Sequence, residues 1–414
     1  MRRIATIGFT VLALLAGRRV AAAQEAECGP ALQWMGVPMR SAVAALSGDR
    51  ILVQLAGEDL VADRAGVVQL RRPALWRAYR ELVPRDGGFW QIGSDRTAVV
   101  VDALDADGVA VGAAQTLGSS IFPMNAARAD VGDGTLAVAW TAPVAQFGSE
   151  FDIHLVLIAP DRSVIGRQRL PARAGAYSVQ VVVQGDAVWL LWREDPFLRL
   201  LGQRFARADG AALDAAPIEI GRGFNDVIWA RVGDQLRLYT DAAAQAPTSF
   251  VLTEDGTVTS WPVMTGHGRQ VIGTADGAVI HVGLEPRGSE DFPTDSAIRI
   301  GREDAAGVLA PLADLRGADV VAVADGPDTL VLTLEDSTDG DTGLSRLMAR
   351  RIGPGGAMSA ATEVARNDLE RVEVEVCTYP DGCSAGGAGA AAWLPLLAAC
   401  GLIARRRRAR RTAR

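Results

Sequence analysis

Short apolar runs with period-two alternation recur along the chain, each preceded by a Gly-Asp or Asp-Gly corner. Gly48-Asp49 leads into the run 50–55, Gly132-Asp133 into 135–140, Gly185-Asp186 into 187–192 and Gly233-Asp234 into 235–239. Asp276-Gly277 leads into 278–282, Asp325-Gly326 into 329–334, and a weaker copy, Gly93-Ser94-Asp95, into 97–101. The seven aspartates are spaced 46 residues apart on average. Gly and Asp at such corners tolerate the positive φ of tight hairpin turns, so each copy predicts a β-hairpin. A second set of corners near Asp63, Asp107, Asp161, Asp209, Asp255, Asp304 and Gly355 keeps the same period. Two hairpins per repeat make a four-stranded antiparallel unit. One such sheet cannot bury both faces, whereas several packed radially can.

The pattern therefore predicts an all-β fold, a β-propeller within residues 24–376 whose blades span about 36–376. Seven markers give seven blades. Six remain open, because residues 73–82 read as a short helix or an inserted strand between two ragged first copies. Trp140, Trp192, Trp229 and Trp261 fall in or beside strands and are expected to pack between blades. The alternating run 371–376 carries Glu373 and Glu375 on one face, the pattern of a protected edge strand. Paired with residues 31–36 it is expected to complete a blade and bring Cys28 to Cys377. A Cys28–Cys377 disulfide is the leading pairing, and Cys377–Cys383 is its rival.

Composition narrows the chemistry. All 42 basic residues are arginine, so mechanisms that need a lysine are excluded. Setting aside four arginines before residue 24 and seven from Arg405 onward leaves 31 against 49 carboxylates, which argues against a nucleic-acid partner for the body. His154, His267 and His281 show no metal-site spacing, and no Gly-x-Ser-x-Gly elbow is present. The repeated Ser-x-Asp-x-Gly-x-x-Trp turn of sialidase propellers is also missing, Ser94-Asp95-Arg96-Thr97 being the nearest approach. No cofactor, catalytic residue or metal ligand is predicted. The acidic stretch Glu335-Asp336-Ser337-Thr338-Asp339-Gly340-Asp341 has Ca²⁺-compatible oxygens but lacks the length and closing glutamate of an EF-hand, and reads first as a solvated loop. Carboxylate pairs suited to glycoside hydrolysis stay open among so many acids.

The ends read as addresses. Residues 1–23 have the charged start, apolar run and small-residue close of a signal peptide. Residues 385–404 are uncharged and long enough to span a bilayer, and the arginine-rich tail 405–414 is expected to stay cytoplasmic. Asp381-Gly382-Cys383-Ser384 within the segment 377–384, then that span, then Arg405–Arg411 resemble the tripartite MYXO-CTERM sorting signals of secreted myxobacterial proteins. The resemblance implies a sorting role for Cys383, recognition by envelope sorting machinery and attachment to the cell surface. The resulting expectation is a membrane-anchored, non-catalytic binding or scaffolding module whose partner is a surface protein or glycan. The alternative is a glycan-processing hydrolase or lyase.

Overall fold

A computed structural model describes residues 27–35, 43–55, 58–73, 78–94, 98–119, 127–145, 149–194, 198–222, 224–242, 248–261, 270–286, 296–317, 319–336, 345–367 and 370–378. Residues 37–369 form one compact unit, and residues 1–36 with 370–414 form another.

The larger unit holds seven four-stranded antiparallel sheets, each made of four strands consecutive in sequence. They occupy residues 43–73, 78–119, 128–174, 177–222, 224–261, 270–317 and 319–367, numbered here blades 1 to 7. First strands of successive blades touch all the way round, including blade 7 to blade 1, so the sheets close into a ring. The fold is a seven-bladed β-propeller, which resolves the choice between six and seven. Seven apolar clusters fill the seven joints between blades. Alternation along each strand sends one set of side chains to each neighbour: Ile51 and Val53 pack toward blade 7, Leu52 toward blade 2. Trp140 and Trp192 are buried between blades as expected, and Trp229 packs partly buried in the joint between blades 4 and 5. The side chain of Trp261 lies outside the described residues.

The hairpin corners sit where the sequence places them, with one correction. The first corner of blade 2 is Asp86-Gly87, between Ala78–Arg85 and Gly88–Ser94. Asp95 belongs instead to the connection after the second strand, among residues outside the described ones. Residues 73–82 hold no described helix; they contain the end of Val68–Pro73 and the start of Ala78–Arg85. Pro73 and Pro84 obscured this strand pattern, yet both fall at strand ends, where a missing N–H is tolerated. At the corner of blade 3, Asp133 and Gly134 both have positive φ (46° and 77°), as a type I′ turn requires.

The terminal unit contains one antiparallel ribbon, Glu27–Met35 with Glu370–Thr378. The two strands pair with each other, and neither is a strand of any blade, so they do not complete one. Each blade already has four strands of its own. Cys28 and Cys377 are register partners in this ribbon, though their side chains lie outside the described residues. Residues 1–23, Cys383 and the segment 385–414 also lie outside them. Among the described residues no helix is long and apolar enough to cross a membrane. The expected transmembrane anchor and the envelope attachment built on it therefore have no structural support and are corrected.

Candidate acid-base site on the inner strands

Polar residues on the first strands meet at the ring's inner side. Asp130, on Arg128–Gly132 of blade 3, is buried. One of its oxygens, Oδ2, accepts the Val183 N–H of blade 4 at 2.7 Å. The same oxygen is paired with Arg231 Nη2 of blade 5. Blade 4 stands between blades 3 and 5, so this ion pair is a chord across the inside of the ring. Burial raises the pKa of Asp130, opposed by Arg231 and the Val183 N–H.

Glu81 stands beside this pair, on Ala78–Arg85 of blade 2. It is half-buried, and its Oε2 accepts the Ala129 N–H of blade 3 at 2.8 Å. Burial pushes its pKa from 4.5 up to about 7; Arg128 and the Ala129 N–H hold it down, and the Asp130 charge adds to the rise. A carboxyl group poised near neutrality can give a proton or take one. Next to it stands a second carboxylate tied to a guanidinium. Two acids in unlike settings are the arrangement from which acid and base roles are assigned.

Sequence reasoning missed all of these groups. The readable signal was a polar residue at a first-strand position, as Asp130 and Arg231 are. Glu81 was hidden inside the stretch read as a helix or insertion.

The residues considered from sequence are dispersed. His154 stacks on Trp140 in blade 3, ring centroids 4.9 Å apart, and burial lowers its pKa. His281 is buried in the joint between blades 5 and 6, its Nε2 2.8 Å from Glu303 Oε2. His267 lies outside the described residues. Glu335 is held by Arg350 and by Thr333, whose hydroxyl donates at 2.7 Å, while residues 337–341 of the acidic stretch lie outside the described residues. Among the described residues no cluster of His, Cys, Asp or Glu could hold a metal ion.

A separate cleft of about 580 Å³ opens among the corners of blades 3, 4 and 5. Arg207 ties Asp133 (2.5 Å) to Asp186 (3.0 Å) on its wall. Both of these carboxylates are exposed and are bridged by the one guanidinium.

No protein-family profile and no curated protein matches this sequence. Solved structures do resemble it. A puromycin hydrolase aligns over 83 % of this chain with a TM-score of 0.53 and 15 % identity. This chain spans 57 % of that enzyme's length. The propeller domain of the Trilobed protease from Pyrococcus furiosus aligns over 79 % of this chain and 98 % of its own, with a TM-score of 0.51 and 12 % identity. The Dos1 propeller aligns over 82 % and 87 %, with a TM-score of 0.50 and 9 % identity. At such identities the likeness establishes the fold. Proteins of similar fold include a hydrolase and the propeller domain of a protease, so the fold lends no support to the expectation of a purely non-catalytic module, which is corrected to that extent.

Proposed function

We propose that this propeller performs acid-base chemistry on a polyhydroxylated chain, as a glycan-processing hydrolase or lyase. Glu81 carries the proton, and Asp130, fixed by Arg231 and Val183, holds the local charge. The observation that carries the reading is the Glu81 carboxyl, pushed up to about 7 beside a second carboxylate on the inner strands. Hydrolysis needs an acid to protonate the leaving oxygen and a base for the water. Lyase action needs a base for a carbon-bound proton, and a carboxylate poised near neutrality serves that purpose. Arg128, exposed beside Glu81, is placed to meet an anionic group on the substrate.

The test is turnover of a panel of neutral and acidic polysaccharides, followed by new reducing ends and by absorbance of unsaturated products. Activity should have a pH limb near 7 that disappears, together with turnover, in Glu81→Gln. Carboxyl NMR showing Glu81 titrating near 4.5, or full activity in Glu81→Gln, would sink the assignment.

A further inference from the structure

The seven joints are not equal. The two smallest apolar clusters lie between blades 5 and 6 and between blades 1 and 2. At the joint of blades 5 and 6 the remaining space holds a bonded polar set. Arg237 Nη1 donates to Glu303 Oε1 at 3.2 Å, and His281 Nε2 lies 2.8 Å from Glu303 Oε2.

The joint of blades 1 and 2 is filled differently. Its apolar half is built on two register pairs, Leu52 opposite Val61 in blade 1 and Phe89 opposite Leu104 in blade 2. Two residues further along each strand, and so on the same faces, stand Gln54 opposite Asp59 and Gln91 opposite Asp102. Both glutamines therefore face into this joint. Gln54 is 1 % exposed and Gln91 0 %, and neither has a hydrogen-bond partner at its amide nitrogen or its amide oxygen.

Other glutamines at joints are bonded at both ends. Gln184 accepts from Trp189 Nε1 at 3.1 Å and donates to the Asp234 carbonyl at 2.5 Å. Gln270 binds both the N–H (2.8 Å) and the carbonyl (2.7 Å) of Ala322. A buried amide that bonds to nothing is costly and rare in native proteins. Two such amides in one joint point to an occupant.

Its chemistry follows from the unpartnered atoms. The buried carboxylates of Asp59 and Asp102 stand opposite the two amides in register and oppose an anion, and among the described residues no cluster of His, Cys, Asp or Glu could hold a metal ion. Water donates and accepts, and it fits where a larger polar ligand does not. We propose that blades 1 and 2 are joined through ordered water held by the side chains of Gln54 and Gln91. The proposal is independent of the function assigned to Glu81.

An atomic-resolution crystal structure of the full chain should show water within hydrogen-bond distance of the amide atoms of both glutamines. Direct bonds from these amides to protein groups, or a metal ion in their place, would overturn it. Thermal unfolding gives a second readout. Gln54→Met and Gln91→Met should each lower Tm, because each strips partners from the shared water, and the double variant should lose less than the sum of the two. A rise in Tm in each single variant would mean that the amides are merely unsatisfied, and the proposal fails. Millimolar Ca²⁺ or EDTA should leave Tm unchanged; a Ca²⁺-dependent rise that vanishes in the double variant would replace water with a cation.

Discussion

At the residue scale the decisive groups are buried charges, and their cost sets the predictions. For Glu81, the folded protein binds the proton more tightly than the unfolded chain does. Its contribution to stability is greatest below pH 4.5, falls as pH rises toward 7, and is level above that. The change from 4.5 to about 7 corresponds to about 3 kcal/mol. Glu81→Gln keeps an acceptor for the Ala129 N–H and removes the charge, so Tm at pH 8 should rise while Tm at pH 4 stays near that of the parent. Tm measured across pH 4–9 checks this, and a variant that loses stability at every pH would contradict the assignment. Glu303 poses the opposite case: it is fully buried, and Arg237, 5 % exposed, depends on it. Glu303→Gln leaves that guanidinium buried without its carboxylate and should cost about 3–5 kcal/mol in denaturant unfolding. Space is as strict as charge in the same joint. A Cβ on Gly273 would stand 1.6 Å from the Arg231 carbonyl oxygen, a backbone atom that cannot step aside. Gly273→Ala should therefore destabilise by about 2–3 kcal/mol through overpacking.

At the element scale the repeat is a repeat of turn chemistry as well as of apolar runs. Asp63, Asp105 and Asp304 each accept through Oδ1 the N–H groups two and four residues on, at 2.8–3.0 Å. The same turn is thus made three times, which explains why the second set of corners was so legible. Arginine supplies the complementary links between elements. Arg204 clasps Asp214 at 2.6 Å, donates to the Glu254 carbonyl of blade 5 at 2.6 Å, and lies 5.8 Å over the Trp189 ring. Arg167 reaches the Leu117 carbonyl of blade 2 at 2.8 Å, and Arg351 reaches the Arg64 carbonyl of blade 1. A guanidinium offers five N–H donors in a rigid planar fork, where a lysine has three on a single flexible ammonium, which gives the all-arginine composition a structural use. Arg204→Lys should lower stability by about 1–2 kcal/mol despite the retained charge, read from the urea midpoint at constant m. The terminal ribbon is a separate element. Its backbone register sets Cys28 opposite Cys377, while the side chains that decide between Cys28–Cys377 and Cys377–Cys383 lie outside the described residues. Non-reducing peptide mapping tells the two apart.

At the scale of the whole molecule, closure is the central problem. Every blade uses four consecutive strands, so among the described residues no exchanged strand locks blade 7 to blade 1. The joint is held by an apolar cluster from both blades and by Asp325, 4 % exposed, which is paired with Arg351 of its own blade and lies 3.4 Å from Arg64 Nε of blade 1. Blades 6 and 7 are tied in part through Asp276, whose pKa is lowered to about 2 by the Thr274 hydroxyl, by Arg302 and by the Gly355 N–H of blade 7. A depressed carboxylate stabilises the fold above its ordinary value of 3.8 and loses that contribution as pH falls toward 2. Asp276→Asn should therefore unfold at lower temperature than the parent at pH 7, with the gap closing toward pH 2. A gap that stays constant across this range would show that the carboxylate charge is not what ties the two blades.

What the chain determines on its own is local and periodic. Alternating apolar runs and Asp- and Gly-bearing corners specify hairpins, because side-chain direction alternates along a strand and few residues accept positive φ. Their recurrence specifies blades, and the markers around Asp133, Asp186, Asp234, Asp276 and Asp325 were legible for that reason. Blade 2 was not, because Pro73 and Pro84 at strand ends masked its first strand and with it Glu81. The meeting of Glu81, Asp130 and Arg231 joins residues 49 to 150 positions apart on three blades, and no spacing in the sequence encodes it. The same holds for Gln54 and Gln91, which only blade packing brings to one joint. Periodicity sets which face a side chain takes; the closed ring decides what that face meets, and burial there sets its proton affinity.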